Sequence, residues 1–369
     1  MITFFTSIDK YPGKSCHVRY LLICCVALII ANRCHGSPTA NENYLVYHER
    51  IIKCEEEFLF RNNISAALDC YRKVFSDFEK PFAKDCFIAL QLACYINDTA
   101  KARFFFEKAF KRGVMWMAVD LSPVVKQFLI ERPDFKKQIG EQYPLYKAEW
   151  ERGLNMNLRA TVVNMKRRDV SAKIKSDHFE RNSIDAYKAD SEYIDILDDN
   201  AIQLVRLTRQ YGFLGDNVIG LTERNLLSDS NNIDKEACYS LRSLVDQLFL
   251  HQCCCFFLLQ PELKQALIDG EISPPMYALI YEWAYEGVRD RLPSFRRGHP
   301  PNKVCAPLPE RQAEFYNVNP HLAVKVSDTA LVAKFRRRIS LPSEEHIRRK
   351  KAFEKNEMIK LFFGAFDVY

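Results

Sequence analysis

The sequence predicts an all-α chain, and three observations carry that prediction. Apolar residues recur at three- and four-residue steps along most of its length, the spacing that puts them on one face of a helix. Only 12 glycines occur in 369 residues, so few positions break that spacing. A helix-turn-helix unit also occurs twice between Tyr44 and Gly113. Hydrophobic content of 48% and aromatic content of 12% point to packed structure and exclude a disordered chain.

In the first unit Tyr44, Tyr47, Ile51, Cys54 and Phe58 share a face of the leading helix. Ile64, Ala67, Leu68, Tyr71, Val74, Phe75 and Phe78 share one of the second. In the next unit Phe82, Cys86, Ala89, Ala93 and Ile96 line one helix, and Thr99, Ala102, Phe106, Ala109 and Phe110 the other. Laying Asn62-Asn63-Ile64 on Asn97-Asp98-Thr99 gives an offset of 35 residues and superposes Ala67 on Ala102, Lys73 on Lys108 and Phe75 on Phe110. A small residue at the shared alanine position lets paired helices approach closely. This period and the EKAF ending resemble the tetratricopeptide repeat, whose unit is about 34 residues. The Trp and Gly usual in its leading helix are absent. The resemblance implies stacked helix pairs forming a curved surface that binds other chains. Arg103, Phe104 and Phe105 are the expected contact residues. The stretch from Met117 to Phe135 is the expected cap, with Ser122-Pro123 as a helix start.

From Leu145 to Asp169 the spacing predicts one longer helix, followed by a mixed-charge connector with a boundary near residue 175. Asp198-Asp199-Asn200 reads as an N-cap, and Gly212 as the left-handed exit of the helix that follows. Leu241 to Leu259 carries an apolar stripe. Pro261 opens a helix that ends at Gly270, and Pro274-Pro275 start another. The order of this cap, YGF, a nearby Gly, His-Gln, G-E-I-S-P and Y-A-L resembles an uncharacterised bacterial domain family of unknown function, found in exported or repeat-bearing proteins. The likeness covers about residues 190–290. Family members carry Gln-His, Asp-Arg and a later Tyr-Gly where this chain has His251-Gln252, Tyr281-Glu282 and no Tyr-Gly after its Y-A-L helix. The resemblance therefore implies that any polar site of the family is altered here.

His251 shares the apolar stripe with Leu244, Leu248 and Cys255, so its plain reading is a core residue. The alternative makes it a proton carrier or ligand beside Asp199 and Asn200. Cys253-Cys254-Cys255 points three ways around a helix and cannot converge on one ion. Asp195, Asp198 and Asp199 lack the glycine-containing loop of a calcium motif. No nucleophile-elbow, zinc-protease, P-loop or dinucleotide motif occurs. No metal or cofactor is expected.

Tyr20 to Ala31 is an apolar run preceded by Lys10, Lys14 and Arg19. It is short of the ~20 residues that span a bilayer and fits a signal peptide over residues 1–36, cleaved after Gly36. A lipoprotein based on Cys34, or an anchor formed by residues 20–31, is the alternative. The chain has 13 cysteines. Their placement on helix faces favours mostly free, buried thiols, although export would permit disulfides. Net charge is +6 overall, and the excess of basic residues lies in the leader and in the tail beyond Arg296. The tail sequence Lys334 to Lys355 reads as a solvated helix begun at Ser343, its cations pairing with Glu344, Glu345, Glu354 and Glu357.

The expected organisation is a signal peptide (1–36), a helical repeat domain (40–175), a second helical domain (185–295) and a basic C-terminal extension with a helix (296–369). The expected function is a protein- or peptide-binding or scaffold module in the periplasm, envelope or exterior. Nucleic acid is a disfavoured partner, and a membrane surface could be met through the basic tail. The alternative is a hydrolase-like or small-ligand-binding domain using Asp199, Asn200 and His251.

Overall fold

The computed structural model describes residues 43–178, 183–221, 241, 243–252, 255–294, 316, 318 and 328–363. The leader, its cleavage point, the run 20–31, Cys253-Cys254 and the proline-rich stretch after residue 295 lie outside the described residues. Among the described residues the chain is all-α, with sixteen helices and no strand; a single antiparallel bridge joins Leu221 to Ser243. None of these helices is long and apolar enough to cross a membrane.

Three hairpins come first. They are α1 (Tyr44–Leu59) with α2 (Ile64–Asp77), α3 (Ala83–Tyr95) with α4 (Thr99–Lys111), and α6 (Pro123–Ile130) with α7 (Pro133–Arg152), the short α5 (Trp116–Leu121) bridging the last two pairs. First helix packs on first helix where α6 meets α3, and second on second where α7 meets α4. The internal period is visible in the backbone. Asn62 and Asn97, 35 positions apart, both turn left-handed at φ 52° and 63°, a conformation asparagine tolerates better than most residues. Immediately after them Asn63 and Asp98 cap α2 and α4 with their side chains, each worth about 1 kcal/mol. Ala67 and Ala102, Tyr71 and Phe106, and Phe75 and Phe110 are all buried at matching positions. The third hairpin begins at Ser122, whose hydroxyl caps α6 with Pro123 in the first turn.

The predicted long helix from Leu145 to Asp169 is two helices. α7 stops at Arg152, and α8 (Met156–His178) restarts after Gly153 to Asn155. Asn155 caps the restart by accepting from Leu158 N at 3.0 Å, while its own N–H is held by Val218 O at 2.8 Å. Next, α9 (Ile184–Tyr211) folds back along α8. It runs straight through Asp198-Asp199-Asn200, so these residues sit in mid-helix and do not cap. Their neighbours supply a helical apolar face to α8, and that packing overrides the local preference of Asx residues for a helix start. Gly212 does end α9, at φ +82°. The stripe from Leu241 to Leu259 is also interrupted: it forms α11 (Asp246–His251) and α12 (Cys255–Leu258) after the one-turn α10 (Asp216–Ile219). α13 (Gln260–Ile268), α14 (Pro274–Ser294), α15 (Thr329–Arg338) and α16 (Glu344–Glu357) complete the set.

Two apolar cores result. One is built from the three hairpins together with Ile359, Leu361, Phe362 and Phe363 of the C-terminal segment. The other gathers α8 to α14 with Tyr316, Val318, Ile339 and Leu341. A close joint links them where Gly270, at φ +74°, lies against the ring of Tyr44; a methyl group there would sit 2.3 Å from that ring. Cys54 and Cys70 form a disulfide between α1 and α2, contrary to the expectation of free thiols on these faces. Their spacing puts the two Cα atoms 5.3 Å apart across the hairpin, which helical periodicity within each helix does not reveal. Cys86 and Cys94 are free and buried, and Cys255 is buried.

Candidate functional site

The first helix of each hairpin contributes polar atoms to one face that would otherwise be apolar: Glu55 from α1, Gln91 from α3, and Ser122 at the start of α6. All three are buried, and Glu55 and Gln91 bond directly to the far end of the chain. The C-terminal segment can be followed by its contacts. Ser340 Oγ donates to Glu49 at 3.4 Å, and Phe353 rests on Phe58 with ring centroids 4.9 Å apart. Tyr95 then donates its hydroxyl proton to Glu357 at 2.6 Å, and Phe363 closes edge-on against Phe87 at 5.6 Å.

Two devices hold this segment. The first is ionic. Glu55, only 3% exposed, lies 2.5 Å from Lys350 Nζ and 2.6 Å from His346 Nε2, both on the inner face of α16. Burial alone would raise the Glu55 carboxyl, but Lys350 and His346 outweigh it and hold Glu55 down at about 2. This corrects the reading of the basic tail as wholly solvated. Arg348 and Arg349 do pair with Glu345 on the outer face, whereas His346, Lys350 and, from α15, Arg336 point inward.

The second device reads backbone. After α16 the chain reverses at Met358, in the left-handed region at φ 54°, and residues 358–363 leave the helix. Gln91 then acts as a strand neighbour would. Its Nε2 donates to Lys360 O at 2.7 Å and its Oε1 accepts from Lys360 N at 3.0 Å, with Ser122 Oγ donating to the same Oε1 at 3.2 Å. Glu354 accepts from Leu361 N and Phe362 N at 2.9 and 3.0 Å. The side chains of Ile359, Leu361 and Phe363 are fully buried, and that of Phe362 is nearly so.

These four side chains contribute about 6–12 kcal/mol of apolar burial. Ordering six residues costs about 6–12 kcal/mol in backbone entropy. The apolar contacts therefore roughly balance the ordering cost, and the polar contacts decide whether the segment stays.

Beneath this face lies a second polar group. Tyr47 donates to Asp85 at 2.8 Å and accepts from Phe82 N at 3.1 Å. Burial, with a smaller contribution from nearby Glu55, raises the Asp85 carboxyl to about 6. Burial, with the cation of Lys84, keeps His48 neutral, its pKa lowered to about 3.

The residues singled out by sequence fall elsewhere. Phe105 is fully buried against Phe75, so it presents nothing to a partner; α7, the second helix of the third hairpin, covers α4. Phe104 is half-buried with Arg72 and Lys108 over its ring. Arg103 is exposed, bonded to Gln138 at 2.6 Å and stacked on Phe135. Asp199, Asn200 and His251 do not converge. The Asp199 side chain is 61% exposed and paired with Arg168 at 3.2 Å. Asn200 is fully buried and donates to Met165 O at 3.3 Å. His251 Nδ1 instead meets Asp169, a fully buried acid of α8 whose second oxygen has no hydrogen-bond partner. Asp199 and Asn200 are consecutive and point about 100° apart, so Asn200 enters the core beside Met165 while Asp199 meets Arg168 of α8 at the exposed edge.

A further cluster went unread. Asp216, Asn217 and Glu271, from the G-D-N and G-E segments of the second region, meet Arg112 at the end of α4. Arg112 donates to Pro81 O at 2.7 Å and to Asn217, and Asn217 donates to Glu271 at 3.1 Å. Burial, reinforced by Asp216, raises Glu271 to about 7. The signal available in sequence was two glycine-acid steps, at Gly215 and Gly270, each allowing backbone to approach closely.

No protein-family model matches the chain, and no curated protein or solved structure matches it either.

Proposed function

We propose that the chain is an exported helical protein whose tetratricopeptide-like hairpins bind a segment of another polypeptide on the face of α1, α3 and α6. One observation carries this reading. That face already takes up an extended segment, pairing with its backbone through Gln91 and with a cation through Glu55. Recognition through main-chain hydrogen bonds, with pockets for alternate side chains, is how extended peptides are read in general. The 35-residue period with matched left-handed asparagines supports the repeat-like character. The Cys54–Cys70 bridge suits an oxidising compartment and so supports export.

The test uses the full-length chain with Leu361→Asp and Phe363→Asp, which vacates the face. A fluorescein-labelled peptide copying Ser343 to Phe363 is titrated against it and followed by anisotropy. Saturable micromolar binding, weakened at least tenfold by adding Gln91→Ala, is the expected result. Absence of saturable binding by a variant that keeps its helical circular dichroism refutes the reading. Should the double variant lose helicity, the milder Phe363→Ala variant takes its place.

A second reading, a ligand-binding or hydrolytic second domain, draws support from the Asp169–His251 pair, in which a buried acid orients an imidazole that is 30% exposed. It predicts that Asp169→Asn abolishes ligand binding or turnover without unfolding the chain.

A further inference from the structure

We infer that the C-terminal segment is a built-in competitor for this face, and that the natural partner is an extended peptide preceded by a basic helical turn, which must displace it. The inference rests on the chain-binding reading above and adds the partner's chemistry and its control. A face destined to stay covered by its own chain is best made apolar, because buried polar atoms gain little when paired and cost when left unpaired. Within its apolar surround this face also offers Glu55, Gln91 and Ser122, groups that water satisfies readily when the segment leaves. Their chemistry specifies an occupant. Glu55 demands a cation, met here by Lys350, and a second polar partner, met by His346 Nε2 one helical turn earlier. Gln91 demands a free backbone N–H and C=O at one residue, met by Lys360 ten positions after Lys350. Phe58 and Phe87 demand apolar side chains on either side of that residue. A foreign segment needs those three features in that order, and the tethered segment already has them.

Tethering sets the size of the effect. A segment linked to its own site faces it at an effective concentration of about a millimolar, so a micromolar peptide in solution is disfavoured by a factor of about 100–1,000. Three measurements with the labelled Ser343–Phe363 peptide test this. Wild-type chain should bind it at least 30-fold more weakly than the Leu361→Asp/Phe363→Asp chain; equal affinity within threefold overturns the competitor while leaving the chain-binding reading intact. Failure of the vacated chain to bind at all defeats the earlier reading instead. A peptide carrying Glu in place of the residues matching His346 and Lys350 should lose at least tenfold in affinity for the vacated chain, and unchanged affinity overturns the basic-turn specification.

In wild-type chain saturated with peptide, hydrogen exchange at Lys360, whose amide Gln91 otherwise holds, should accelerate. Binding with no change at that amide overturns displacement. Light scattering checks the remaining occupant. A dimer of wild-type chain that the peptide dissolves would make a second copy's tail the partner and overturn the inference.

Discussion

Glu55 is the residue on which the docking of the C-terminal segment turns, and replacing it with glutamine isolates its charge. From an ordinary value of 4.5 its carboxyl falls to about 2 in the folded chain. Each tenfold change in proton affinity is worth about 1.36 kcal/mol, so the charged form contributes roughly 3 kcal/mol. The side chain is almost wholly buried, so no large discount for solvent screening applies. An independent argument reaches the same figure: removing one partner of a buried ion pair costs about 3–5 kcal/mol. The sign follows from the direction of the shift. The folded carboxyl is the stronger acid, so this stability is complete above about pH 4.5 and drains away as pH falls towards 2. Glu55→Gln should therefore lower stability by roughly 3 kcal/mol at pH 7, measured by hydrogen exchange at Lys360 and by urea titration. The difference from wild type should close near pH 2. A loss below about 1 kcal/mol at pH 7, or a difference that persists at pH 2, refutes the reasoning. A companion variant replaces Glu55, His346 and Lys350 together by leucine, leucine and methionine. It should recover most of the loss, since well-packed apolar groups commonly match a buried ion cluster in stability.

Three other perturbations have clear signs. The Glu271 carboxyl is the weaker acid when folded, raised to about 7 by burial and by Asp216, so its cost grows as pH climbs from about 4.5 through 7. Glu271→Gln should stabilise the chain by roughly 3 kcal/mol at pH 8 and leave it nearly unchanged at pH 4.5, by thermal melts at both. Replacing Cys54 and Cys70 together by serine removes a cross-link closing a 16-residue separation and should cost about 3 kcal/mol in urea unfolding, with wild type falling to the variant's level in strong reductant. Gly270→Ala should cost about 2–4 kcal/mol, combining a left-handed alanine with overpacking on Tyr44, and the loss should shrink when Tyr44→Leu is added.

The helical class and the repeat were legible because both are written locally. Asn62 and Asn97, the caps beside them and the alanines at Ala67 and Ala102 repeat within one stretch of chain, and each acts through neighbours a few residues away. Where local pattern and tertiary packing disagreed, packing won. Asp198-Asp199-Asn200 has the composition of a cap, yet α9 passes through it because Ala201, Leu204 and Leu207 have a core to enter. The single helix expected from Leu145 breaks at Gly153 because Asn155 finds a backbone partner at Val218, 63 residues on. Neither partner is visible to a periodicity argument.

The candidate face was hidden for a sharper version of the same reason. Glu55 meets His346 and Lys350 across 291 and 295 residues, and Gln91 meets Lys360 across 269. Helical spacing assigns Cys54 and Phe58 to the core and is silent on Glu55, because one charged residue at the edge of an apolar stripe is unremarkable. The tail offered the complementary clue. Ile359, Leu361, Phe362 and Phe363 form an apolar run directly after a basic helix, the mark of a segment that enters a core. A wholly solvated basic tail has no reason to carry that run. An acid inside one apolar face and an apolar run behind a basic helix are each half of a recognition surface. Only their juxtaposition, which no local rule supplies, moves the expected contact away from Phe105 on the second helix of a hairpin to Glu55 and Gln91 on the first.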